Sequence, residues 1–348
     1  MRASLRHARP AWRSLPDAPV RIQPGTIISP DAIRSTLRSD RPRRALLEEP
    51  TTAPWHGAGT NRGWAIARRE IRDVGCHIRR SRLDVRHITI RVYGPLNDFV
   101  PPERRHVAWP YAFEGGASAK DVIEGFGVPH PEVDLILVNG ESVAFECGVQ
   151  DADRIAVFPR FEAIDVSAVT RVRRPLPDPI RFVLDTHLGK LARYLRLAGL
   201  DAVYRRDARD DELAEIACRE RRILLTRDRG LLKRRVVVHG YFVRETASYR
   251  QLVEVLARFS PLPLAPFSRC LRCNAGLRET PKSAVEARLG ERTRHAFAQF
   301  HECSGCGRVY WRGSHWAELV RILDAAVRQA EAHRTTTSQG RANEAPRR

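Results

Sequence analysis

The chain has 348 residues, 43% of them hydrophobic, and a formal net charge of +19, enough apolar material for two ordinary domains and an excess of cations suited to a polyanion, nucleic acid first. No run approaches the roughly 18 apolar residues of a membrane span, and the Arg-rich start lacks the apolar segment of a secretion signal. The expectation is a cytoplasmic protein with no membrane contact.

Residues 1–86 hold 18 Arg and no Lys against 8 Asp and Glu. Rich in Pro and without sustained periodicity, this stretch is expected to be disordered apart from a short helix around "WAIARREIRDV". Two readings stay open for it: a basic arm that tethers RNA, or a non-native extension from a start assigned too far upstream.

Residues 87–166 read as one small domain. "HITIRVYG" alternates like a strand, and "GASAKDVIEGFGV" has helical spacing at Ala119, Val122 and Ile123. "VDLILVNGESV" is a strand with an Asn139-Gly140 turn, and "DRIAVFPRFEAI" supplies the last strand. Strand, helix, strand, turn and strand is a β-grasp order. "LILVNGESV" and "DADRIAVFP" resemble the ubiquitin-like ThiS and MoaD sulfur carriers. Those carriers act through a C-terminal Gly-Gly, whereas this chain continues, so the resemblance implies their fold and not their chemistry. The residual expectation for the domain is a protein-docking or RNA-orienting role.

Residues 167–180, with "RRPLPDP", form a linker. In residues 181–265 strand and helix alternate. "RFVLD" is a strand ending on Asp185, and "THLGKLARYLRLAG" is a helix with Leu188, Leu191, Ala192 and Leu195 on one stripe, ended by Gly199. "DARDDELAEIACRE" begins a helix with acids in its first turn. "RRILLTRD" is a strand ending on Asp228, and "VVVHGYFV" a third strand before the helix "SYRQLVEVLARF". This is a parallel sheet with helices on both faces, in which ligands sit beyond the carboxyl ends of the strands.

Asp185 and Asp228 emerge at that edge, and Asp210 or Asp211 can reach it from the intervening helix. Each aspartate alone reads equally as a helix cap. Together they repel, by on the order of 4 kcal/mol for a pair at about 4 Å, unless a cation neutralises them. Oxygen-only ligands select Mg²⁺ or Mn²⁺, which can activate water against a phosphodiester. Asp211 is the favoured ligand, with Asp210 and Glu212 in reserve and Asp207 more distant. Lys190, Arg193, Arg196, Arg227 and Arg229 are candidates to guide RNA, or else an ordinary solvated face.

Residues 266–325 contain "CLRC" and "CSGC". Cys270, Cys273, Cys303 and Cys306 form two knuckles of a Cys₄ zinc ribbon, a structural Zn²⁺ site since four thiolates fill the shell. The 29-residue spacer is expected to hold a helix or a long hairpin. Arg308, Tyr310, Trp311, Arg312 and Trp316 serve either RNA stacking or the ribbon's own small core. Cys76, Cys147 and Cys218 have no partners at metal spacing. A C-terminal helix is expected to close the 266–325 segment, and residues 326–348 read as a disordered tail.

"LDTHLGKLARYLRLAGLDAVYRRDARDDELAEIACRERRILLTRDRGLL", followed by "CLRCN" and "CSGCGRVYWRGSHW", resembles the PIN-like ribonuclease family called the Mut-seven carboxyl-terminal RNase domain, some members of which carry an N-terminal ubiquitin-like domain. The resemblance implies a PIN-like fold and a metal-dependent ribonuclease whose acids here are Asp185, Asp211 and Asp228, without a clear fourth. His187 departs from the family pattern and reads as a rim residue. The rival expectations are a non-catalytic RNA-binding module with a structural zinc ribbon, and a β-grasp scaffold that docks proteins.

Overall fold

A computed structural model describes residues 85–161 and 165–340. All but the end of the Arg-rich extension, its expected helix, Cys76 and residues 341–348 lie outside the described residues.

In the first domain β1 (Val85–Val92) buries Ile88, Ile90 and Val92 and leaves Thr89 and Arg91 outside. The period of two faces every second residue to the core. β2 (Trp109–Glu114) pairs antiparallel with it; the sequence reading omitted this strand, because Pro110 argues against a strand except at an edge, which is where β2 lies. Ser118 and Asp121 close a capping box at the start of α1 (Ala119–Gly125). β3 (Val133–Val138) turns into β4 (Glu141–Ser142) through Asn139 and Gly140, both at positive φ as a type I′ turn requires. β5 (Arg154–Pro159) inserts between β1 and β3, parallel to β1, to give the order β2-β1-β5-β3-β4 around a core of Ile90, Ile123, Ile136 and Val157. This is the expected β-grasp.

The linker is packed rather than loose. Val172 is buried in the β-grasp core, and Arg173 forms a bidentate pair with Asp134.

The second domain is a parallel sheet in the order β7-β6-β8-β9, comprising β6 (Phe182–Leu184), β7 (Ala202–Tyr204), β8 (Ile223–Thr226) and β9 (Gly240–Phe242). β7 escaped the sequence reading since three residues show no periodicity, and β9 is shorter than "VVVHGYFV" suggested, with Val236 and Val238 exposed in the preceding turn. Phe182, Leu184 and Leu225 face α2 (Gly189–Leu197), α5 (Ser248–Phe259) and the C-terminal helix, while Val183 and Leu224 face α3 (Asp210–Arg219) and α4 (Arg229–Leu232). Gly199 ends α2 at φ +85°, where any Cβ would lie 2.2 Å from the Ala265 carbonyl oxygen. Only glycine fits there.

The ribbon sheet is β10 (Leu277–Thr280), β11 (Phe300–Cys303) and β12 (Val309–Tyr310), with α6 (Lys282–Val285) and α7 (Glu291–Ala296) in the long spacer, so helix and hairpin both occur. The helix α8 (Ser314–Gly340) then packs on α5. This corrects the expected disorder from residue 326: Leu323, Ala326, Val327 and Ala330 recur at helical spacing and are buried against the second domain. Among the described residues, no helix is long and apolar enough to cross a membrane.

The β-grasp domain is fastened to the α/β domain by polar groups. The nearly buried Glu132 accepts from the Phe242 N–H (2.6 Å) and pairs with Arg244 (3.2 Å), which also holds Asp98 at 2.9 Å. The Lys233 ammonium donates to the Glu124 carbonyl (2.6 Å), and His130 bridges the Glu124 carboxylate and the Val237 carbonyl.

Candidate active site and zinc centre

β6 and β8 are adjacent and parallel, so the residues that follow them leave the sheet side by side. Asp185 follows β6 directly and caps a 3₁₀ turn (Thr186–Leu188) by accepting the Thr186 N–H. Its side chain is buried, the residue only 6% exposed, yet no cation pairs with it among the described residues. Its carboxylate is held by hydroxyls: Oδ1 accepts from Thr186 Oγ1 (3.1 Å) and Oδ2 from Thr226 Oγ1 (2.6 Å). A carboxylate removed from water and met only by neutral donors is costly unless something else satisfies it.

Asp228 lies two residues beyond β8, exposed, and caps α4 by accepting the Gly230 N–H at 2.6 Å. Thr226 joins the two acids. Its fully buried hydroxyl donates to Asp185 and accepts the Asp228 N–H at 2.9 Å. The sequence reading passed over Thr226 as a strand residue; its position two before a capping aspartate was the available signal.

The third expected acid stands apart. The N-cap of α3 is Arg209, whose N–H donates to Glu212 (3.3 Å), so neither Asp210 nor Asp211 is the cap. The Arg209 guanidinium grips Asp211 at 3.1 and 3.0 Å, and that hydrogen bond holds the Asp211 carboxyl below its ordinary pKa. Asp210 lies 3.9 Å from Arg234, and Asp207 is exposed. Among the described residues no three carboxylates come within one ion's reach.

The expected RNA-guiding cations divide. Arg193 and His187 are exposed, and Lys190 is half-buried at the start of α2. Arg196 is a correction: it is 3% exposed and donates to the carbonyls of Ala202 (2.8 Å), Leu271 (3.1 Å) and Arg272 (2.8 Å), tying the ribbon to the sheet. Its spacing of four from Ala192 put it on the apolar stripe, a signal available in the sequence. Arg227 is a second correction, since its Nη1 donates to the carbonyls of Val243, Arg244 and Glu245. Arg229 reaches the β-grasp domain, donating to the Phe99 and Asp98 carbonyls at 3.0 Å and lying over the Phe99 ring. Glu254 was also missed. It accepts from the Arg244 and Glu245 N–H groups and the Tyr241 hydroxyl, fixing the loop after β9, and burial raises its pKa.

At the ribbon, the sulfur atoms of Cys270, Cys273, Cys303 and Cys306 all lie within 4.8 Å of one another. Separations of 3.3 Å (Cys273 to Cys303) and 3.6 Å (Cys270 to Cys306) are far longer than a disulfide. The Cys273 N–H points at Cys270 Sγ, and the Gly305 and Cys306 N–H groups at Cys303 Sγ, donors that favour thiolates. Burial pushes the Cys270 thiol up, but the Tyr310 hydroxyl at 3.1 Å and backbone N–H groups outweigh it and bring the pKa down to about 6. The donor set fits a tetrahedral Zn²⁺. Tyr310 and Trp311 pack in the ribbon's core, whereas Trp316 and Arg312 meet Phe267 at its surface.

The ribbon sits at the opposite end of the sheet from Asp185. Asn274 donates to Asp201, just before β7, and Asp201 is paired with Arg222, just before β8. Residues 180–323 match the family model for the Mut7-C RNAse domain, and residues 85–165 match that for the Mut7-C ubiquitin domain. No curated protein and no solved structure gives a match.

Proposed function

We propose that this chain, in which a Mut7-C ubiquitin domain leads into a Mut7-C RNAse domain, is a metal-dependent ribonuclease working at the edge formed by Asp185 and Asp228. The observation that carries the reading is the buried Asp185 carboxylate, with no cation partner among the described residues, joined through Thr226 to a second, exposed aspartate. Among the described residues Oδ2 of Asp185 accepts a single hydrogen bond, leaving it capacity for a ligand. Mg²⁺ and Mn²⁺ are commonly held by one or two carboxylates and water, which suits this oxygen-only pair. Such an ion polarises a phosphoryl oxygen and lowers the pKa of bound water.

The protein's own part is orientation and charge. Thr226 and Thr186 fix the Asp185 carboxylate, and the Gly230 N–H fixes Asp228. Asp211, with Asp210 and Glu212 in the same turn, supplies the third acid once Arg209 gives it up to substrate phosphate, which competes for the same guanidinium. Lys190 and Arg193 draw in the RNA backbone. Attack by water leaves a 5′ phosphate and a 3′ hydroxyl. Labelled RNA incubated with Mn²⁺ or Mg²⁺, with EDTA as control, tests the reading. Products that need the ion and vanish in Asp185→Asn and Asp228→Asn support it.

One observation favours a second reading, an RNA-binding module without catalysis: Asp211 is neutralised by Arg209. Under that reading RNA is bound but left intact in every condition, and the Asn variants bind it as well as the parent.

A further inference from the structure

A cleft of about 280 Å³ opens between the two domains. It lies at the end of the sheet away from the acids. Ile223, at the start of β8, and Gly240, at the start of β9, form its floor, whereas Asp185 and Asp228 follow the strands' other ends. With β8 four residues long, about 10 Å of strand separates the two.

Its charge is one-sided. The β-grasp domain contributes Lys120, the linker Arg174, and the α/β domain Arg235 and Arg258. Acids line it too, but two are committed: Glu132 to Arg244, and Asp134 to Arg173. Glu146, exposed at the rim, is the remaining carboxylate. Arg174, Arg235 and Arg258 have no ion-pair partner among the described residues.

Arg258 carries the second observation. Its guanidinium lies over the rings of Tyr241 and Phe259, and its Nη1 is buried with no hydrogen-bond acceptor among the described residues. A guanidinium held with an N–H unsatisfied is expensive, and the less buried nitrogens of Arg258, on the cleft lining, offer an oxyanion its natural donors. His239 reports the same field: burial, Arg174 and Arg221 all hold its imidazole below the ordinary pKa, towards the neutral form.

We infer that this cleft is a binding site for a phosphate-bearing ligand of mononucleotide size, held by Arg174, Arg235 and Arg258 between the two domains. Arg forks match phosphate oxygens bidentately, and the volume suits one nucleotide rather than a strand. Since both domains and the linker supply cations, an occupant stabilises their docked arrangement. The phosphate belongs either to a free nucleotide or to the end of an RNA chain. The inference does not depend on the ribonuclease reading.

The test uses the full chain with inorganic phosphate and 5′-AMP as probes, read by calorimetry and thermal shift against chloride at equal ionic strength. Saturable AMP binding that raises the melting temperature, weakens at least tenfold in the Arg174→Glu/Arg235→Glu double variant and persists in Asp185→Asn is the expected result. Both arginines are exposed, so the variant should fold, which its circular dichroism would verify. No saturable binding of either anion, or equal affinity in the double variant, would overturn the inference. In competition, a short 5′-phosphorylated oligoribonucleotide that displaces AMP better than its 5′-hydroxyl twin assigns the phosphate to an RNA end. Displacement by neither assigns it to a free nucleotide.

Discussion

The ribbon and the acidic edge both bring like-charged side chains together, but the chain builds them differently. Each knuckle is a short turn whose two cysteines are placed by local backbone, and the Leu277–Cys303 register of β10 and β11 brings the knuckles together. The sulfurs converge within 4.8 Å. At the acidic edge Asp185 and Asp228 each satisfy their own turn, and among the described residues Thr226 spans the two strands to connect them. A cluster assembled from local turns is closed by hairpin register, whereas one assembled from strand ends depends on every crossover helix.

Breaking the ribbon should have the largest effect. Cys270→Ser, or zinc removal by a chelator, should forfeit much of a metal-linked folding energy of about 10 kcal/mol. Loss of bound zinc and of a cooperative thermal transition in the ribbon, with Arg196 left facing disordered carbonyls, would be read by metal analysis and calorimetry. A zinc-free protein with an unchanged transition would refute this. Next comes Asp185→Asn, expected to lower metal-dependent RNA cleavage by about a hundredfold or more, the scale for losing one group that stabilises transition-state charge. Its melting temperature should move little, because the amide oxygen can still accept the Thr186 N–H and the amide NH2 can donate to Thr226 Oγ1.

Thr226→Val sharpens the comparison by cutting the hydroxyl link between the two acids. Loss of the hydroxyl strands a buried carboxylate oxygen and should cost roughly 1–3 kcal/mol in denaturant unfolding. Cleavage should fall as well, whereas Thr226→Ser should restore both. The smallest effect is expected from Arg209→Ala. The Arg209–Asp211 pair is exposed and screened by solvent, so its loss should leave stability almost unchanged. The Asp211 carboxyl should titrate closer to its ordinary range, since the guanidinium that holds it down is gone. NMR titration of that carboxyl reads the change directly; no movement would show that the bidentate pair does not persist in solution.

Much of the fold was legible because its signals are short-range. Alternation in "HITIRVYG", the Asn139-Gly140 turn, the Leu188-Leu191-Ala192-Leu195 stripe and the paired C-x₂-C spacings each depend on residues within a few positions of one another. The failures share one cause. Arg196 and Arg227 look like surface cations in a linear chain, yet carbonyls brought from Leu271 and Glu245 make them internal braces. Burial of a guanidinium is decided by which distant carbonyls arrive.

The sequence alone therefore determined the β-grasp, the parallel sheet, the four cysteines that cluster and the identity of the strand-end aspartates, since periodicity and spacing are local properties of the backbone. Tertiary structure alone decided that Thr226 couples Asp185 to Asp228, that Arg209 claims Asp211, and that the ribbon docks at the opposite end of the sheet. It also turned the linker into the wall of a cationic cleft. These outcomes depend on how independently formed elements pack, and a hydrogen bond between residues 41 positions apart leaves no trace in the spacing of either.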